Sequence, residues 1–388
     1  MSDSDDDVSD YEVEADVELG FISEDRVPMN ATPMYCEPDW TKWDGGQVGG
    51  RPSWLIPSIS SIPTTEQLQC IDCFTPLSFL LQIYCPLDDV KDAFHRSLYV
   101  FVCRSNCKRQ GDGKAFRLQL PKDNEFYAPT GGSMELKPNG KKRDFCALCG
   151  QRALFTCSAC HVAQYCSKEH QKDHWTVGGH NRTCSQCLET QSYTECDEAR
   201  EKMITQGSKW VFPEHYLEID HEPDTSEVMN EYEAKLLADF EQTKDVEEDK
   251  MDMNVTQREL NEALGHSTDH DPQYVRFLTR IALSKDQVLR YSRWNDAVLW
   301  VHSKGMVNGN VPPCEMCGSE RKFEFQILPQ LLNYLNVDNE SSLGAITSRS
   351  CEWGTLVVYS CTQSCSVENA CVQEFLHYQP AYANQIIQ

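Results

Sequence analysis

CALCGQRALFTCSACHVAQYCSKEHQKDHWTVGGHNRTC, residues 146–184, carries eight metal-binding side chains at short intervals. Cys146-x-x-Cys149 and Cys157-x-x-Cys160 are tight pairs, followed by Cys166-x3-His170 and His180-x3-Cys184. A CxxC turn brings two thiolates to about 2.3 Å from one zinc, and an i, i+4 pair lets one helical turn present both donors on the same side. The eight donors suffice for two tetrahedral zinc ions. Four protein ligands per ion leave no position for a catalytic water, so the zinc expected here is structural and its binding free energy is folding free energy.

Outward from this segment the chain repeats itself. Upstream, Cys70-x-x-Cys73 is followed nine residues later by Gln82-Ile83, then by Leu98-Tyr-Val-Phe-Val-Cys103-x3-Cys107. Downstream, Cys314-x-x-Cys317 is followed nine residues later by Gln326-Ile327, then by Leu356-Val-Val-Tyr-Ser-Cys361-x3-Cys365. The shared order predicts two pseudo-repeated, β-rich modules with the cysteine-rich segment inserted between them. Cys70, Cys73, Cys103 and Cys107 are candidates for a third zinc cage, and Cys314, Cys317, Cys361 and Cys365 for a fourth. The competing reading is reduced cysteines in a strand-rich core, since free cysteine is commonly buried. Cys36, Cys85, Cys351 and Cys371 receive no role.

The central segment resembles the MYND zinc finger, including Gln164-Tyr165-Cys166-Ser167 and Gln171-x3-Trp175. In that family the two sites interleave. The resemblance implies Cys146, Cys149, Cys166 and His170 around the first zinc, and Cys157, Cys160, His180 and Cys184 around the second. The family usually has cysteine where this chain has His170, and imidazole is an acceptable substitute. His161 and His174 read as surface or supporting residues, and Cys187 and Cys196 as structural or free thiols.

The full chain has 388 residues, 20 of them cysteine, and a formal net charge of -25. No stretch approaches the roughly 18–20 apolar residues of a membrane span, and the MSDSDDDVSD start is unlike a basic-then-apolar secretory leader. A soluble, monomeric, intracellular protein of cytoplasm and nucleus is expected, where cysteines hold metal more often than disulfides. The charge argues against direct nucleic-acid binding; it serves solubility alone or also attracts a basic protein partner.

The expected class is α+β and β-rich, with acidic disordered segments. Residues 1–42 read as an acidic tail, 43–138 as the N-terminal half and 139–188 as the finger. A strand continuing the core is placed in 189–217, an acidic linker in 218–270 and the C-terminal half in 271–388. Within the linker, residues 231–240 suit a short helix. Asp271-Pro272 suits the N-cap and first position of another helix, with Phe277, Ile281, Val288 and Leu289 at spacings of one face. Leu98–Val102, Ala297–Val301 and Leu356–Ser360 read as buried strands.

No catalytic motif emerges. The P-loop, the G-x-S-x-G elbow and the H-E-x-x-H helix are missing. So is the Asn-His-Ser-Cys signature of the SET-domain methyltransferases that share MYND fingers. His95, in Phe94-His-Arg-Ser-Leu, reads as a core histidine, and Lys141-Lys142-Arg143 as a solvated loop.

Taken in order, these pieces resemble the programmed cell death protein 2 family, related to Tsr-four-type ribosome assembly factors. They run from Gly49-Gly-Arg-Pro-x-Trp54-Leu and Pro76-Leu-x-Phe-Leu-Leu-Gln-Ile-Tyr84 through Phe94-His-Arg-Ser-Leu-Tyr99 and Val211-Phe-Pro-Glu. They continue with Asp286-Gln-Val-Leu-Arg-Tyr291, Phe323-Glu-Phe-Gln-Ile-x-Pro-Gln-Leu-Leu-Asn-Tyr334 and Trp353-Gly-Thr-Leu. The resemblance implies a non-enzymatic, dedicated chaperone for a basic small-subunit ribosomal protein, the eukaryotic S-two (bacterial S-five) type, with a client groove formed by the two halves. The alternative is a nuclear adaptor whose finger binds Pro-rich peptides of transcriptional co-repressors.

Overall fold

The computed structural model describes residues 16–23, 45–56, 58–104, 113–126, 145–223, 271–307, 309, 311–337, 351–367 and 370–381. The acidic residues 1–15, the basic run 141–143, Cys36, Cys107 and the 231–240 helix expected from sequence lie outside them.

Ten antiparallel strands close into one barrel. In chain order they are β1 (Glu18–Ile22), β2 (Gly46–Val48), β3 (Ser78–Tyr84), β4 (His95–Val102), β5 (Gly113–Leu120), β8 (His215–His221), β9 (Gln287–Tyr291), β10 (Arg321–Ile327), β11 (Thr355–Cys361) and β12 (Val372–Gln379). Around the barrel the order is β1-β8-β2-β3-β4-β5-β12-β11-β10-β9, and β9 returns to β1. Both halves therefore share one barrel. A small hairpin, β6 (Phe155–Thr156) with β7 (Gln164–Tyr165), lies outside it with helices α1 (Lys168–Thr176), α2 (His180–Thr190) and α3 (Asp197–Gln206).

Alternation along the strands sorts side chains between two faces. Leu98, Val100 and Val102 of β4 point inward with Leu81, Ile83, Leu289, Phe325, Ile327, Leu356 and Val358, filling the barrel. Tyr99, Phe101 and Cys103 point outward, where the segment from Trp54 to Leu77 covers them. The second half does likewise: Phe323, Val357 and Tyr359 lie under Trp300 and its neighbours. The meanders β3-β4-β5 and β10-β11-β12 each carry a register shift early in the first strand, at Phe79/Leu81 and Phe323/Phe325.

Several expectations need correction. Glu18–Ile22, assigned to the acidic tail, is a barrel strand, because Leu19 packs at 1 % exposure between two partner strands despite its acidic context. Residues 297–301 form no strand; this apolar run lies irregularly on the barrel's outer face, with Leu299, Trp300 and Val301 buried. The predicted helix is present as α4 (Pro272–Leu283), capped by the Asp271 carboxylate on the Gln273 N–H at 2.9 Å. It ends before Val288 and Leu289, which belong to β9. Residues 189–217 hold α3 before any strand begins, and β8 runs four residues into the stretch read as linker.

Candidate metal centres and the adjoining cleft

Four CxxC pairs, beginning at Cys70, Cys146, Cys157 and Cys314, make the same turn. The residue after the second cysteine donates its N–H to the first cysteine's carbonyl: Phe74 to Cys70 (3.1 Å), Gly150 to Cys146 (2.9 Å), His161 to Cys157 (2.9 Å) and Gly318 to Cys314 (2.8 Å). All four of these residues have positive φ, between 57° and 75°. This left-handed step folds the backbone back so that both thiols face one point.

Return pairs complete the finger cages. Cys166 follows β7, and the Ser167 hydroxyl accepts the His170 N–H at 3.1 Å, capping α1. Nδ1 of His170 then lies 3.1 Å from Cys166 Sγ and 3.8 Å from Cys146 Sγ, with Cys149 3.6 Å from Cys166. In the second cage, α2 presents His180 and Cys184: His180 Nε2 is 3.6 Å from Cys160 Sγ, and Cys157 is 4.0 Å from Cys184. Both sets are buried, and the donor atoms of each lie within 4.8 Å of one another. Ligands about 2.3 Å from a tetrahedral zinc stand roughly 3.8 Å apart, so both donor sets fit zinc.

The outer cysteines also gather. Cys314, Cys317, Cys361 and Cys365 form a four-thiol group, with Cys314 3.5 Å from Cys365 and Cys317 3.5 Å from Cys361. Cys70, Cys73 and Cys103 converge at the start of β3 and the end of β4; the fourth expected member, Cys107, lies outside the described residues.

His174 is buried behind the finger. It is bonded to the Tyr165 hydroxyl (2.9 Å) and the Tyr193 hydroxyl (3.3 Å), and stacks on His180. Burial pushes its pKa down to about 4, so the ring is neutral. His161 is exposed. Cys187 is a structural thiol joined to both backbone groups of Thr194. His95 is a core histidine on the Tyr84 hydroxyl, likewise pushed down to about 4 by burial.

The finger is clasped by the barrel. Arg51 Nε donates to the Leu148 carbonyl (3.2 Å), Trp54 Nε1 to Gly150 (2.8 Å) and Gln151 Nε2 to Leu77 (2.6 Å). A cavity of about 750 Å3 opens between the finger, α3 and the Gly49–Trp54 loop. Its walls include Trp54, Tyr193, Met203 and Tyr216. Its charged groups are paired unevenly. Burial works against the charged form of Glu195, but Arg51 at 2.5 Å and Arg200 outweigh it and hold the carboxyl below the usual range. Burial raises Glu214, which has the Tyr216 hydroxyl at 3.1 Å as its side-chain donor. Sequence reading missed this cleft, because it exists only once the finger docks.

Comparison with known proteins matches the order of these parts. Residues 16–134 match the programmed cell death protein 2 N-terminal domain, 146–184 the MYND finger, and 271–380 the programmed cell death protein 2 C-terminal putative domain. Programmed cell death protein 2 of Mus musculus is 34 % identical over 94 % of this chain and 96 % of its own length. The chain belongs to the programmed cell death protein 2 family. The Bos taurus member is 33 % identical over 92 % of this chain and 98 % of its own. Programmed cell death protein 2-like of Homo sapiens is 25 % identical over 83 % of this chain and 86 % of its own. No solved structure matches. The MYND match and the two four-donor clusters fit zinc binding, and the finger points to a protein-interaction role.

Proposed function

We propose that this chain is a dedicated, non-enzymatic chaperone for a basic small-subunit ribosomal protein of the eukaryotic S-two (bacterial S-five) type, acting in cytoplasm and nucleus. The observation that carries the reading is the cleft between barrel and finger, where aromatic walls surround Glu214, in a chain of net charge -25. Such a cleft suits a peptide segment with apolar and basic side chains, and the acidic field speeds its capture. The client groove proposed here is therefore this cleft. The barrel interior between the halves is filled with side chains. Both finger cages have four protein ligands, which favours a structural over a catalytic metal.

The two meanders are proposed to be pseudo-equivalent copies. Gln82 bonds both backbone groups of Ser53 (2.7 and 3.4 Å), and Gln326 both of Leu299 (2.7 and 2.9 Å). Each clamped residue precedes a tryptophan that covers its own meander, Trp54 or Trp300.

Titrating the purified chain with the purified ribosomal protein tests the client reading. Binding is expected to weaken steeply between low and high salt, and Glu214→Lys to weaken it at least tenfold. Salt-independent binding, or full affinity in Glu214→Lys, would count against the reading.

One observation favours the adaptor reading. Leu154 and Phe155 stand exposed on the finger hairpin, and Trp175 on α1. Deleting the finger cannot separate the readings, because the barrel clasps it. Replacing Leu154 and Phe155 with serine leaves those clasps in place, and an adaptor should lose its partner while the chaperone keeps its client.

A further inference from the structure

We propose that Cys314, Cys317, Cys361 and Cys365 form a structural zinc site of the barrel itself, outside the MYND finger. Three observations lead to it. The first is the turn: Gly318 N donates to the Cys314 carbonyl and Cys314 N to Ser319, both at 2.8 Å. The finger turn matches, with Gly150 N on Cys146 at 2.9 Å and Cys146 N on Gln151 at 2.7 Å. Gly318 and Gly150 share nearly the same φ, 75° and 72°.

The second is spacing. Three of the sulfur–sulfur separations are 3.5, 3.5 and 4.0 Å. A tetrahedral zinc–thiolate cage requires edges of roughly 3.8 Å, whereas disulfide sulfurs lie at about 2.05 Å.

The third is charge. Beside the cage, at one end of the barrel, Arg96, Arg117 and Arg321 are buried, and among the described residues the carboxylates paired with these three are Glu324 and Glu374. A buried excess of positive charge is costly unless compensated. The return loop of the cage is tied into this cluster: Ser364 Oγ accepts from Arg96 (3.2 Å) and Arg117 (3.4 Å), and Glu374 accepts the Cys361 N–H (3.2 Å). Arg117 Nη2 lies 3.8 Å from Cys365 Sγ. Four thiolates around one Zn2+ carry a formal charge of about −2, which supplies the missing anion at that spot. Four neutral thiols do not.

The site therefore joins the second meander's knuckle to the ionic cluster that binds both halves together. The test is zinc per chain in the full-length protein after exhaustive dialysis, compared with a Cys314→Ser, Cys317→Ser double variant. The expected result is one zinc fewer in the variant, and a lower melting temperature. If the variant fails to fold, the wild type still decides: Cys317, the exposed member of the cage, should resist iodoacetamide until a chelator is added. Equal zinc content, or immediate alkylation of Cys317 in the zinc-loaded wild type, would overturn the site. Visible iron–thiolate absorption lost in the double variant would overturn zinc as its metal.

Discussion

Arg96 of β4 grips Glu324 of β10 through two hydrogen bonds, 2.5 and 2.7 Å, with both side chains fully buried. The pair spans the two halves of the sequence and closes one end of the barrel. Tyr291 adds its hydroxyl to the same carboxylate at 3.1 Å. Burial opposes the charge on Glu324, yet Arg96 overcomes it and holds the carboxyl down at about 2.

Removing that carboxylate leaves Arg96 buried and unopposed. Glu324→Gln is expected to cost about 3–5 kcal/mol, measured by denaturant unfolding. Because the folded value is depressed, the contribution is present above the ordinary carboxyl range near 4.5 and is lost as pH falls through about 2. In Glu324→Gln the stability decline across that window should be shallower than in the wild type.

Gln82 and Gln326 offer a paired test of the equivalence between meanders. Each is buried and satisfies two backbone groups of the segment crossing its meander. Gln82→Leu and Gln326→Leu should each cost about 1–3 kcal/mol, since both leave buried backbone groups without partners. Similar losses in thermal melts support equivalence; a neutral variant at either position contradicts it.

At His170 this chain departs from the usual MYND cysteine. A thiolate reaches the same metal, so His170→Cys should retain two finger zincs, whereas His170→Ala should lose one. Metal analysis distinguishes them. Zinc loss in His170→Cys would mean that the imidazole's reach is essential to the cage.

The knuckle glycine is testable without steric complication. A Cβ at Gly318 meets no atom within 4 Å, but its φ is 75°. Gly318→Ala should therefore cost about 1 kcal/mol from backbone strain alone. Phe74 occupies the equivalent left-handed position at 57° and is 71 % exposed. Phe74→Gly should cost little or nothing by the same unfolding measurement.

Local features were legible in the sequence. The CxxC pairs, the i, i+4 returns and the Asp271 cap depend on residues within a turn of one another, so spacing alone identified them. Compact apolar runs such as Leu98–Val102 declared themselves as strands. β1 did not, because its alternating Leu19 and Phe21 are surrounded by acidic residues and gain meaning only between β8 and β9. Ala297–Val301 misled in the opposite sense: its apolar side chains cover a sheet without joining it. Closure of the halves into one barrel depends on Glu374 facing Ala115, a pairing across 259 positions that no local pattern encodes. The cleft depends likewise on where the finger docks.

Affinity purification of the full chain from cells at low and high salt, with mass spectrometry of the captured proteins, tests the central claim most directly. One dominant basic protein of the small ribosomal subunit, of the S-two/S-five type, is expected, lost as salt rises. Enrichment of transcriptional co-repressors with no ribosomal protein above background would contradict it.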